Sequence, residues 1–384
     1  MSVTAPSDRA AGGASPPTGA IAHAPRLVPV DPAAPTRWAG APSWLAGAAL
    51  LVLAALCAYA LWRAPITAKP LSPDPAAVRG GDLALYSRIV DRVRQGENYY
   101  AATRTELVAN DYPVGSLFNW RLPTLAWLLA AFPSDAAARW LLRALGLAAL
   151  AVWAIYFVRT APPRVAAACV LLAAGLPLMT QLANAQLYHE SWGGLLVLLA
   201  IGAAANRWYG AGVAAGLAAC LVRELALAYA VVALVLALRA GRRREGFAWG
   251  LGCIGFAGVM AVHAAAVARV APGGGHVAIS QWIAGGGWRF VLNTATLNGW
   301  LLLLPVSWIG VVVPVALAGV LGWRGEPGGR VALTVLAYVT AFLLVGHAYN
   351  VMWGMLYSGL LPLGLPFAPA ALRDLGRAAA RRAA

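Results

Sequence analysis

Residues 79–123 read RGGDLALYSRIVDRVRQGENYYAATRTELVANDYPVGSLFNWRLP. This is the only long polar segment in a chain of 384 residues that is 61% hydrophobic and 11% charged. Counted back to Arg63, it holds six of the fourteen acidic residues: Asp74, Asp82, Asp91, Glu97, Glu106 and Asp111. Soluble domains carry roughly 25% charged residues. Here the polar segment is flanked by apolar runs approaching the ~20 residues that cross a bilayer. The chain therefore reads as an all-α polytopic membrane protein. Its spans are helices because backbone groups in lipid must be satisfied within their own segment. The alternation expected of a membrane barrel is absent. The polar segment follows the first span directly and reads as a folded extracytoplasmic loop.

Working outward, residues 1–43 are rich in Ala, Pro, Gly and Ser and predict a disordered cytoplasmic tail. The first apolar run, 44–62, starts too late for a signal peptide and is expected to remain as an anchor. The loop, residues 63–120, predicts two interfacial helices, at about 82–95 and 100–109. In the first, Tyr86, Ile89, Val90 and Val93 share a face, and Gly96 stops it. Residues 122–132 are apolar but too short to cross, bounded by Pro123 and Pro133, and read as a half-span or an interfacial helix.

Further spans are expected at 136–157, at 165–181, from the apex at 184–190 to about 205, and at 247–270, 299–321, 331–346 and 351–369. Residues 209–238 are too many for one span and predict a tight hairpin with Arg223 and Glu224 at its tip. An outer loop over 271–298 carries Gly273 to Gly275, Trp282, Trp288 and Arg289. The total is about ten crossings in a domain of residues 44–370, followed by a basic cytoplasmic tail at 371–384. Arginines mark the turns assigned to the cytoplasm: Arg159, Arg164, Arg207, Arg242 to Arg244, Arg324 and Arg330, with both termini on that side. The same bias, with anionic lipid as partner, accounts for the net charge of +15. No aromatic-interleaved basic stripe points to nucleic acid. Cys57, Cys169, Cys220 and Cys253 all lie in apolar runs and read as packing residues.

Chemistry on the outer side needs a base or nucleophile, and elimination leaves the carboxylates of the first loop with Glu190 and Glu224, among which Asp82 leads. The 271–298 loop has no acid. Asp82 follows Gly80 and Gly81, where backbone can approach another surface, and begins a helix at the membrane surface. A carboxylate there can accept a proton from a hydroxyl. The competing explanation is a helix N-cap, which Asp favours. Among the loop arginines, Arg121 beside Trp120 is the candidate phosphate ligand, because a guanidinium fork suits phosphate oxygens. The others, Arg79, Arg88, Arg92, Arg94 and Arg104, suit a solvated face paired with Asp91, Glu97 and Glu106. Arg223 and Glu224 lie inside an apolar stretch, where charge is costly and serves either a pocket or an ion-pair network. His189, Glu190 and His347 suit the lining of an outer cavity, and no spacing among them makes a zinc site. Tyr99, Tyr100, Trp120, Trp282 and Trp288 can stack on a sugar or serve an interfacial belt.

Four features in this order resemble the membrane-embedded GT-C glycosyltransferases, in particular the polyprenyl-phosphate-dependent family 87 related to bacterial mannosyltransferases. The likeness covers roughly residues 44–370. They are a first span followed by a loop with an early acid (Gly81-Asp82, Leu85-Tyr86); Tyr112-Pro113 leading to Leu122-Pro123; the apex NAQLYHESWGGLLVLL; and AGVAAGLAACLVRELALAY, an Ala-Gly helix ending in a charged pair, with Arg223 where the family commonly has Lys. The resemblance implies inverting transfer of a sugar from a polyprenyl-phosphate donor to an acceptor hydroxyl on a lipid or glycan. The transfer takes place on the outer face of a bacterial cytoplasmic membrane. By that analogy Asp82 is the general base, Arg223 or Arg121 holds the phosphate, and no cofactor or metal is required. Two other classes compete. A transporter or lipid flippase predicts an internal repeat and a midplane site, and no clear repeat is visible. A noncatalytic subunit of an envelope-assembly complex predicts Asp82 as a cap beside no cavity.

Overall fold

The computed structural model describes residues 1, 27–63, 81–271 and 285–381. Among these residues the chain is helical, with no strand. Helix α1 is Ser43–Arg63, α2 Asp82–Arg94, α3 Tyr99–Ala109 and α4 Thr124–Ala130. Then come α5 Asp135–Thr160, α6 Pro163–Ala173, α7 His189–Ala205, α8 Tyr209–Val222 and α9 Leu227–Arg239. The chain continues with α10 Arg243–Val270, α11 Gly287–Ala295, α12 Val306–Gly322, α13 Gly325–Leu344 and α14 Ala368–Ala379. Among the described residues four helices are long and apolar enough to cross a membrane: Ser43–Trp62, Asp135–Thr160, Arg243–Val270 and Gly325–Leu344. A fifth span is made if Tyr349–Ser358 and Leu361–Ala379, bent by 47°, count as one. Large apolar side chains such as Leu51, Val158, Ile254 and Val262 point outward from these helices. A belt of that kind needs an apolar surround, as a membrane protein has.

The bundle has two unlike ends. At one, the backbone N–H of Val30 donates to the Thr160 carbonyl at 2.7 Å, and Thr36 binds Asp374 of α14 through its backbone N–H (2.7 Å) and its hydroxyl (3.0 Å). The Arg242 guanidinium lies 4.8 Å over the ring of Tyr209. The start of α8 and the end of α9 therefore lie together, and α8 and α9 form a hairpin. Its tip, Arg223 to Ala226, reaches toward the other end, where α2, α3 and α4 pack.

Several expected boundaries differ. Residues 27–42, expected to be disordered, are held in place. Besides the Thr36–Asp374 bonds, Trp38 donates to the Ala318 carbonyl at 3.0 Å, and Arg381 donates to the carbonyls of Ala39 and Ala41. The expected basic tail is largely helix α14, with Asp374, Leu375 and Ala378 buried. The 299–321 span is broken at Pro305, giving a single turn Gly299–Leu302 and then α12. The stretch expected as an outer loop contains α11, buried from Phe290 to Ala295. Two of its polar residues are engaged internally: the Thr294 hydroxyl lies 2.9 Å from Tyr357 Oη, and Asn298 donates to the Ser358 carbonyl at 3.0 Å. Gly273 to Gly275 and Trp282 lie outside the described residues.

The last expected span, 351–369, is not one α-helix. It runs as 3-10 turns Ala348–Gly354 and Leu361–Phe367 around the turn Met355–Ser358. Arg330, expected in a turn, is buried within α13 and donates to Glu245 (2.9 Å) and Glu326 (3.3 Å). Those carboxylates also hold Arg242, which ties α10 to α13.

Candidate functional site

Helix α2 presents Leu85, Ile89 and Val90 to the core. Gly81 is its N-cap residue and Asp82 its first helical residue. Gly80 and Arg79 lie outside the described residues. Asn98 caps α3, its side chain accepting from the N–H groups of Tyr100 (2.9 Å) and Ala101 (3.4 Å). Glu106 of α3 joins the two helices, accepting from Arg88 (2.7 Å) and Arg92 (2.6 Å). Arg94 reaches Asp135 at 3.1 Å and fastens α2 to α5. Burial alone raises the Glu106 carboxyl, but the two guanidinium bonds outweigh it and hold the group below its ordinary range.

The turn between α3 and α4 sets the site. Asp111 and Arg121 both adopt left-handed backbone, at φ 55° and 49°. For residues other than Gly this conformation costs roughly 1–2 kcal/mol, so the surroundings must hold it. They do. Tyr99 Oη donates to the carbonyls of Trp120 and of Arg121. Trp120 Nε1 donates to the Val114 carbonyl at 2.9 Å, and Asn119 Nδ2 to the Pro113 carbonyl at 2.7 Å.

The result is a cleft of about 400 Å³ with two walls. Asp82, Tyr86, Tyr112, Asn119 and Arg121 form one; His347, Tyr349, Asn350 and Trp353 form the other. Among the described residues lining it, Asp82 is the one carboxylate and Arg121 the one guanidinium. Tyr112 Oη donates to Asp82 Oδ1 at 2.7 Å. Burial and then this carboxylate push the Tyr112 phenol above its ordinary value, so it stays a proton donor. The bond leaves Oδ2 of Asp82 for another partner.

Behind Arg121 lies a chain of charges. Its Nε reaches Tyr86 Oη at 3.3 Å and its Nη1 reaches Glu224 at 3.4 Å. Glu224 is bonded to Arg223, and Arg223 Nε lies 2.8 Å from Glu190. Arg223 is 1% exposed and lies 5.9 Å over the Trp353 ring. Two guanidinium and two carboxylate groups balance, which is the condition for burying them. His189 packs edge-on to Tyr86, with centroids 5.1 Å apart. The void here is only about 20 Å³, too small for a substrate.

Of the residues singled out from sequence, Asp82, Arg121 and His347 share the cleft. Arg223, Glu224, Glu190 and His189 lie beneath it as support. Two candidates sit elsewhere. Trp120 is 0% exposed, wedged in the core with its N–H engaged, and offers no face to a ligand. Tyr100 turns away to α10, its hydroxyl 3.1 Å from His263 Nδ1. Arg88, Arg92 and Arg94 are engaged with acids of the loop and of α5. The roles of Asn119, Tyr349, Asn350 and Trp353 were not legible. The nearest signal was the polar break His347 to Asn350 between apolar runs. Among the described residues no three His, Cys, Asp or Glu side chains group as metal ligands. Comparison with protein-family models, with curated proteins and with solved structures finds no match.

Proposed function

We propose that this chain is an inverting membrane glycosyltransferase of the GT-C type, moving a sugar from a polyprenyl-phosphate donor to an acceptor hydroxyl. The observation that carries the reading is the shared cleft: a carboxylate, Asp82, and a guanidinium, Arg121, converge on about 400 Å³ at one end of an apolar bundle. The arginine-marked turns at Arg159, Arg207 and Arg242 to Arg244 collect at the opposite end. That supports a cytoplasmic placement for them and an outer placement for the cleft. In this reading the shorter apolar helices α6, α7, α8 and α12 are the candidates for further crossings.

In this reading Asp82 Oδ2 takes the proton of the acceptor hydroxyl as its oxygen bonds the anomeric carbon. The bond from that carbon to the phosphate oxygen breaks, its electron pair leaving on the polyprenyl phosphate. Arg121 balances the phosphate charge from one side. Glu224 and Arg223 keep its guanidinium aimed, and Tyr112 fixes the rotamer of Asp82. The positions of all five are set before substrate arrives, the condition for electrostatic catalysis.

The test is transfer of radiolabelled hexose from polyprenyl-phosphate hexose to lipid or glycan acceptors, with the full chain in nanodiscs. Asp82→Asn should lose about 10²- to 10⁴-fold in rate while keeping donor affinity. Transfer by Asp82→Asn at the native rate would overturn the assignment and favour the subunit or transporter alternatives.

A further inference from the structure

The wall of the cleft opposite Asp82 is built for something the catalytic residues do not use. It is the 3-10 segment Ala348–Gly354, and it is anchored from behind. Trp353 packs against Phe342 and Phe290, with centroids 6.0 and 6.5 Å away. Gly354 presses on the Thr294 carbonyl so closely that a Cβ there would sit 2.0 Å from its oxygen. Only glycine allows that approach, and the approach fixes the segment's distance from α11.

In front, Tyr349 faces open space and Asn350 borders the cleft. Tyr349 is 68% exposed, and its ring lies parallel to His347, centroids 4.9 Å apart at 6°. Asn350 Nδ2 is enclosed and has no acceptor in the protein, although an enclosed amide N–H ordinarily has one. Across the cleft, Asn119 gives its Nδ2 to Pro113 and keeps its Oδ1 for another donor. A flat stacked ring beside one amide donor and one amide acceptor matches the C–H face and hydroxyl edge of a sugar ring. The charge of the cleft adds a restriction. Among the described residues lining it, Arg121 is the one guanidinium, and the phosphate takes it, so a second anion on the ligand would find no such partner among them.

We infer that residues 347–353 are the sugar subsite, that Asn350 reads ring hydroxyls, and that the subsite selects an uncharged hexose over a hexuronate. The inference rests on the transferase reading. In it, Tyr349 supplies a stacking face and Asn350 a hydrogen bond made only when a sugar is attached to the lipid.

The experiment measures binding of three lipids to the full chain in nanodiscs: polyprenyl phosphate, polyprenyl-phosphate hexose and polyprenyl-phosphate hexuronate. The wild type should prefer the hexosyl lipid to both others. Asn350→Ala should weaken the hexosyl lipid about tenfold, the size of one net hydrogen bond, and leave bare polyprenyl phosphate unchanged. Tyr349→Leu lies on an exposed position that folding tolerates and should do the same, while Tyr349→Phe should not. Equal losses for bare and hexosyl lipid, or no loss for either, would overturn the subsite and leave Tyr349 an interfacial anchor. If the sugar-selective losses appear but no acceptor is ever glycosylated, the transferase reading falls and the subsite stands. If the wild type binds none of the three lipids, both fall.

Discussion

Replacing Arg223 tests whether the charge chain under the cleft holds the hairpin tip. Arg223→Met keeps most of the stem and removes the guanidinium. It leaves Glu190 and Glu224, with side chains 8% and 10% exposed, to share one cation, Arg121. Of these two acids Arg121 is ion-paired with Glu224 alone, and at 3.4 Å. Glu190 is then a buried, uncompensated carboxylate, and removing one partner of a buried pair costs about 3–5 kcal/mol. Glu190→Gln alone leaves Arg223 bonded to Glu224 and should cost about 1–2 kcal/mol, the size of a lost charged hydrogen bond. In the double variant Arg121 and Glu224 remain as a balanced pair. Replacing both members of a buried pair is often close to neutral, so the double variant should sit near 2 kcal/mol, well below the ~4–7 kcal/mol sum of the singles. Equilibrium unfolding of the full chain in mixed micelles measures all three. Added salt should alter the differences little, because buried pairs are poorly screened. A double variant as unstable as the sum of its singles would refute the reasoning, because it would mean that Arg223 acts through packing and not through charge.

Tyr112→Phe removes the donor that fixes Asp82 and should lower kcat by about three- to tenfold at unchanged donor KM; a changed KM with normal kcat would place Tyr112 in binding. The depressed Glu106 carboxyl gives an acid dependence. Its stabilisation of the α2–α3 pair is complete above the unfolded value of about 4.3 and is lost as pH falls through its lower folded value. Hydrogen-exchange protection of α2 and α3, taken relative to the intrinsic rate at each pH, should therefore fall below about pH 4 in the native protein and be low throughout in Glu106→Gln. Gly194→Ala should destabilise by about 1–3 kcal/mol. A Cβ there would lie 2.2 Å from the Met355 carbonyl oxygen, so α7 must move off the turn Met355–Ser358. An unchanged unfolding midpoint would refute that contact.

How much of this was legible from sequence depends on whether the signal was local. The short helices of the polar loop could be read, since Ile89, Val90 and the Gly96 stop lie within a few residues of one another. The hairpin could be read too, because a charged pair in the middle of thirty apolar residues has few places to go. The site could be read only in part. Asp82 stood out as a lone acid after glycines, but its bond to Tyr112 crosses thirty positions, and the contact of Arg121 with Glu224 crosses one hundred and three.

Trp120 and Tyr100 show the same limit from the other side. An aromatic beside an arginine has one composition whether it faces a ligand or the core. Only the Val114 carbonyl that takes the Trp120 N–H, and the His263 ring that meets Tyr100, decide which. The misread regions share one cause. In α11 and residues 347–354, polar side chains and glycines signal a loop by composition, yet the bundle engages several of them internally and leaves Asn350 Nδ2 over. Thr294, Asn298 and Ser358 bond to one another's helices, so irregular backbone survives deep in an apolar fold. Backbone of that kind is tolerated at membrane depth where protein encloses it or where it lines a cavity. Residues 347–354 line the cleft. In the proposed reading the stretch least legible as structure is thus the one that would recognise the ligand, since the same polar groups that break the apolar pattern are those a bound sugar would need.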